Sequence, residues 1–183
     1  MVYIILGKGF EEIEALAPCD LLRRGGVEVK LAGIGGYEIP GGRGIRVTAD
    51  CLIEDIDLDK ADMIVVPGGM VGVETIESTP AALEIVKKAY DMGIYVAAIC
   101  AGPRVLAGLG ILDGKNAVCY PGMEDQMTGG KMSQDNPVVI DGKVITGRAA
   151  GAAIDFGLAI LEVLRDGETA KKVGGGIYYP SQK

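Results

Sequence analysis

Short aliphatic runs that end in glycine, each followed by apolar residues at helical spacing, recur along this chain. Val2-Tyr3-Ile4-Ile5-Leu6 is the first run, ending at Gly7 and Gly9. Ile13, Leu16, Ala17, Leu21 and Leu22 then share one helical face from Glu11 to Arg24, and Gly25-Gly26 closes the segment. Successive parallel strands need crossovers about a dozen residues long, so this rhythm implies a mostly parallel sheet with helices on both faces. Sites in such sheets gather outside the carboxyl ends of the strands.

The same reading predicts strands at Val27–Ala32, Asp62–Val66, Ile94–Ile99, Ala117–Cys119, Val138–Ile140 and Val144–Thr146, with short fragments near Tyr37–Ile39 and Ile45–Val47. Asp141-Gly142 is a hairpin turn signal. Helices are expected at Pro80–Met92, from Gly102-Pro103 through Leu109, and at Ala149–Arg165. Gly174-Gly175-Gly176 through Lys183 reads as a loose tail. No repeat or linker interrupts the pattern, and 183 residues suit one domain spanning 1–183.

Composition excludes several function classes. With 18 Lys and Arg against 25 Asp and Glu, the formal charge is −7, which argues against nucleic acid as a partner. Histidine is absent, so Ser-His-Asp and Cys-His catalysis and every His-ligated metal site are ruled out. No apolar run approaches the roughly 20 residues that span a bilayer. The apolar start is too short for a secretory signal, so no membrane partner and a cytoplasmic location are expected. Cys19, Cys51, Cys100 and Cys119 form no C-x-x-C pair, and reduced thiols follow from that setting.

Three loops should meet at one sheet edge: Gly7 to Glu14, Pro67 to Gly72, and Cys100 to Pro103. In Val96-Ala97-Ala98-Ile99-Cys100-Ala101-Gly102-Pro103 a cysteine sits where a buried strand turns sharply into a helix, amid small residues. That is the logic of a nucleophile elbow, and the helix start is expected to favour a thiolate. The alternative is a buried structural cysteine, the reading that also suits Cys19 and Cys119. The Ala101 amide is placed to donate to an oxyanion, with Gly69 as the second donor. In Glu11-Glu12-Ile13-Glu14, a solvated acidic first turn accounts for Glu11 and Glu12, while Glu14 is the candidate inward acid/base. Gly33-Ile34-Gly35-Gly36 and Gly7-Lys8-Gly9 fail the dinucleotide fingerprint, and Asp55, Asp57 and Asp59 read as an acidic loop rather than a calcium site. No cofactor or metal is expected.

Taken together, Ala98-Ile99-Cys100-Ala101-Gly102-Pro103, Glu11-Glu12-Ile13-Glu14, Pro67-Gly68-Gly69, Arg23-Arg24-Gly25, Arg148 and the helix around Phe156-Gly157-Leu158 resemble the ThiJ/PfpI superfamily. Within it, the match is to the branch of the parkinsonism-associated deglycase and its bacterial relatives. The resemblance covers Val2 to about Val173. It implies a flavodoxin-like three-layer α/β sandwich and a homodimer. It also implies roles: Cys100 as the oxidisable nucleophile, Glu14 as the protonated glutamate that bonds it, and Gly69 and Ala101 as oxyanion amides. Arg43 resembles the arginine that reaches a partner's site. Two departures stand out. The family's His before a proline is here Tyr120, before Pro121, and Ala101 follows Cys100 where the protease-like branch has His. A phenol donates a hydrogen bond but is a poor base at neutral pH, so Glu14 is left as the proton carrier and peptidase activity is disfavoured.

These features point to a cofactor-free glyoxalase or deglycase acting on a small dicarbonyl such as methylglyoxal. Cys100 is the nucleophile, Glu14 the proton shuttle, and Arg43 and Tyr120 contact substrate. The competing expectation is a non-catalytic redox sensor or chaperone that uses Cys100 oxidation. The thiamine-biosynthesis labels attached to this superfamily find no phosphate loop here.

Overall fold

The computed structural model describes residues 1–180. Its first half runs β1 (Val2–Leu6), α1 (Glu12–Arg24), β2 (Val29–Gly33), β3 (Glu38–Pro40), β4 (Arg46–Thr48), β5 (Cys51–Leu52), β6 (Met63–Val66), α2 (Met70–Glu77) and α3 (Pro80–Asp91). The second half runs β7 (Tyr95–Ile99), α4 (Pro103–Gly108), β8 (Asn116–Ala117), β9 (Lys131–Met132), β10 (Val138–Asp141), β11 (Val144–Gly147), α5 (Ala153–Leu164) and α6 (Gly167–Gly176).

Seven strands form one sheet in the order β10-β11-β7-β6-β1-β2-β5. All neighbours are parallel except β10 and β11, which form the hairpin signalled by Asp141-Gly142. Alternation along each strand divides the core in two. Tyr3, Ile5, Ile64, Val66, Val96 and Ala98 face α2, α3 and α4, whereas Val2, Ile4, Leu6, Met63, Val65, Ala97 and Ile99 face α1, α5 and α6. The result is a three-layer, flavodoxin-like α/β sandwich. Burial on both faces is why the central strands read as continuous apolar runs.

The register of the sheet places the site. Leu6, Val66 and Ile99 end three adjacent parallel strands, so the loops that follow them open at the same edge.

Several expectations change. The loop expected at Pro67–Gly72 becomes helix from Met70 onward, because Val73 and Ile76 bury against the sheet. Gly72 suits that helix because a Cβ there would lie 2.6 Å from the Phe10 Cα. The helix expected from Ala149 starts at Ala153, after a 3-10 turn over Ala150–Ala152. Cys119 lies beyond β8 rather than on it. Gly174–Gly176 are not loose: they end α6, whose cap Asp166 accepts the Thr169 N–H at 2.7 Å. The remainder of the expected tail, 181–183, lies outside the described residues. Among the described residues, no helix is long and apolar enough to cross a membrane.

Candidate active site

Cys100 follows the last residue of β7 at φ 64°, a left-handed conformation rare outside glycine. It is held there by bonds on both sides. Its N–H donates to the Gly147 oxygen at 2.9 Å, and its own oxygen accepts the Tyr120 N–H at 2.8 Å. Strain of this kind costs about 1–3 kcal/mol and persists only where the surroundings enforce it. The turn lifts the sulfur out of the sheet, leaving Cys100 half-buried while Cys19, Cys51 and Cys119 are buried. Burial raises all three of those thiols, Cys119 to about 11.

The N–H groups of Gly69 and Ala101 lie close to the Cys100 sulfur and favour its ionised form. Gly69 precedes α2 at φ 85°, a conformation that a side chain would strain. Glu14 comes from the first turn of α1 and is fully buried. Its Oε2 accepts the Gly68 N–H at 2.8 Å, and its carboxyl faces the Cys100 thiol. Oε1 is sealed from solvent and accepts no hydrogen bond from the described residues. Burial lifts Glu14 to about 7, with the negative Glu11 adding to the effect.

The thiol does not ionise as the elbow alone predicts. Burial, then the neighbouring Glu14 carboxylate, push Cys100 up to about 12 against the two amides. The helix after the elbow has six residues, too few to offset that environment. Glu14 and Cys100 therefore titrate as a pair. Burial and mutual repulsion hold both groups above their ordinary values, so the neutral pair gives up its protons in two steps. The singly ionised pair includes the form with a protonated Glu14 and a thiolate, the form that the Gly69 and Ala101 amides stabilise.

The acidic first turn is not solvated. Glu12 is only 3% exposed. Its Oε1 accepts the N–H groups of Arg43 at 2.8 Å and Ile45 at 3.3 Å, which fixes the turn between β3 and β4. Glu11 lies 3.6 Å from the Arg43 guanidinium. Arg43 lines the cavity of its own chain, with its side chain 77% exposed at the mouth. That cavity, of about 600 Å³, brings together Cys100, Glu14, Gly69, Ala101, Arg43 and Tyr120, all six residues expected at the site. Met70, Met123 and Gln126 also line it, and no motif marked them in advance.

The DJ-1/PfpI family model matches residues 1–163. The chain belongs to the DJ-1/PfpI family. It is 37% identical over 175 residues to the Parkinson disease protein 7 homolog of Danio rerio, covering 93% of this chain and 92% of the fish protein. It is 36% identical over 159 residues to the glutathione-independent glyoxalase DJR-1.2 of Caenorhabditis elegans, covering 86% of this chain and 84% of the worm protein. The crystal structure of Drosophila melanogaster DJ-1beta superposes with a TM-score of 0.94 at 34% identity, covering 98% of each chain.

Proposed function

We propose that this DJ-1/PfpI protein is a glutathione-independent glyoxalase that converts methylglyoxal or a similar 2-oxoaldehyde to a 2-hydroxy acid. The observation that carries the reading is the convergence of two backbone N–H groups on a sulfur that faces a buried, proton-holding carboxyl. The worm relative's name supports the same reaction class.

In the proposed reaction, the Cys100 thiol proton passes to Glu14 and the sulfur attacks the aldehyde carbon. The resulting alkoxide is held by the Gly69 and Ala101 amides and takes the proton from Glu14, giving a neutral hemithioacetal. The Glu14 carboxylate then removes the hydrogen on the former aldehyde carbon to give an enediol and returns it to the neighbouring carbon, while the hydroxyl proton moves from the first oxygen to the second. That yields a thioester of the 2-hydroxy acid, and water hydrolyses it to free acid and thiol. No redox partner is needed, because one carbon is oxidised as its neighbour is reduced. Deglycation would use the same attack on a glycated adduct. Arg43 and Tyr120 are assigned to substrate contact at the mouth.

The reading extends to setting. A single domain over 1–183 and a reducing, cytoplasmic location fit the four free thiols. Exposed Ile13, Ile45, Met70 and Val71 support a homodimer. A second reading, sensing of peroxide through Cys100 sulfenic or sulfinic acid, is favoured by Cys100 being the half-exposed thiol of the four.

The test is mass spectrometry of protein quenched during exposure to methylglyoxal. An adduct of one methylglyoxal at Cys100, absent when glutathione is the sole addition, is the expected result. Turnover with no adduct at Cys100 contradicts the covalent route.

A further inference from the structure

Three backbone segments surround the Cys100 sulfur: the start of α2 with Gly69, the elbow with Ala101, and the loop that carries Tyr120 and Gln126. One side chain bonds to the far end of α2 and to the Gln126 loop while belonging to the helix that leaves the elbow. Arg104, in the first turn of α4, donates from Nε to Glu77 Oε1 at 2.8 Å and from Nη2 to Glu77 Oε2 at 2.7 Å. Its Nη1 donates to Gln126 Oε1 at 3.4 Å. Glu77 is the last residue of α2, the helix that opens with the Gly69 amide. The two partners are mostly buried, with side chains 20% and 33% exposed.

Each member of this pair occupies the helix end that disfavours its charge. A cation in a first turn meets unpaired N–H groups, and an anion in a last turn meets unpaired carbonyls. Local helix energetics therefore do not explain the pair. A two-pronged guanidinium–carboxylate contact fixes both distance and angle between the groups it joins. Here it joins the helix behind Gly69 to the helix in front of Ala101.

We infer that Arg104 is a positioning residue that sets the spacing of the Gly69 and Ala101 amides required by an oxyanion, with Gln126 tied to the same fork. The inference rests on the proposed glyoxalase reaction. Nothing in it requires Arg104 to touch substrate.

The experiment compares wild type with Arg104→Lys and Glu77→Gln, two conservative changes that enter the pair from opposite helices. Lactate formation from methylglyoxal without glutathione gives kcat and KM. Alkylation of Cys100 by iodoacetamide, in which no oxyanion forms, is measured in parallel. The sulfur's ionisation is governed first by burial and Glu14, which both variants retain. The expected result is a fall in kcat of about tenfold or more in both variants, with KM within about twofold and alkylation within about threefold of wild type. Unchanged kcat in Arg104→Lys overturns the positioning role alone. A parallel loss of alkylation also overturns it, since that marks general damage to the site. A wild-type chain that makes no lactate overturns the proposed reaction, and the positioning role falls with it.

Discussion

The Gly68 N–H donates to Glu14 Oε2 at 2.8 Å, and the same carboxyl lies beside the Cys100 thiol. Only a residue without a side chain fits between them. A Cβ at Gly68 would lie 2.4 Å from Oε2 and 2.7 Å from the Cys100 Cβ. The glycine before the oxyanion amide thus sets the approach of acid to nucleophile.

Gly68→Ala should therefore separate the pair. Overpacking of this size costs about 1–3 kcal/mol of stability. The expected outcome is a lower melting temperature with turnover reduced by about 10²-fold, the scale of one misplaced catalytic group. Full turnover by a folded Gly68→Ala protein would show that close approach is unnecessary.

The raised Glu14 makes stability depend on pH in a definite direction. Its value is about 7 in the fold against an ordinary 4.5, so the folded chain holds that proton more tightly. This contribution is fully present below 4.5 and is lost as pH rises through 7. The loss amounts to about 3 kcal/mol by linkage. Denaturant melts of wild type at several pH values should show this decline, and Glu14→Gln should flatten it. An equal slope in the variant would place the titrating group elsewhere.

The pH dependence of turnover should follow the coupled pair. With no histidine in the chain, the rate should rise with a single apparent ionisation near 7, the first proton shed by Glu14 and Cys100. Tyr120→Phe should keep that profile, because the controlling protons belong to Glu14 and Cys100. A profile that moves in Tyr120→Phe would assign the controlling proton to Tyr120.

Glu12→Ala removes the carboxylate that accepts the Arg43 and Ile45 N–H groups. Each such charge-assisted bond is worth about 1.5–3 kcal/mol. A melting-point drop is expected, together with a higher KM and a smaller change in kcat, as the turn bearing Arg43 loosens. A variant with lower kcat and unchanged KM would remove Arg43 from substrate contact.

Much of this was legible in the sequence because it rests on local pattern. Continuous apolar strands, a proline early in α3 and the Asp141-Gly142 turn each carry their own signal, and the parallel sandwich follows from their alternation. Cys100 was legible because small residues crowd a strand-to-helix turn. Glu12 was not, since its burial depends on a turn 31 residues away that supplies the donor Arg43 N–H. The Arg104–Glu77 contact joins residues 27 apart and violates local helix preference at both ends, so no pattern announces it. Helix geometry is visible in sequence, whereas the burial that raises Cys100 beside Glu14 is not. The start of α2 and the end of α6 were hidden by glycines that pack closely or complete a capped helix.

The most direct measurement is lactate formed from methylglyoxal in glutathione-free buffer by wild type, Cys100→Ser and Glu14→Gln, each shown to be folded. The account predicts turnover in wild type and loss of about 10²-fold or more in each variant. Lactate formation by Cys100→Ser at the wild-type rate would contradict it.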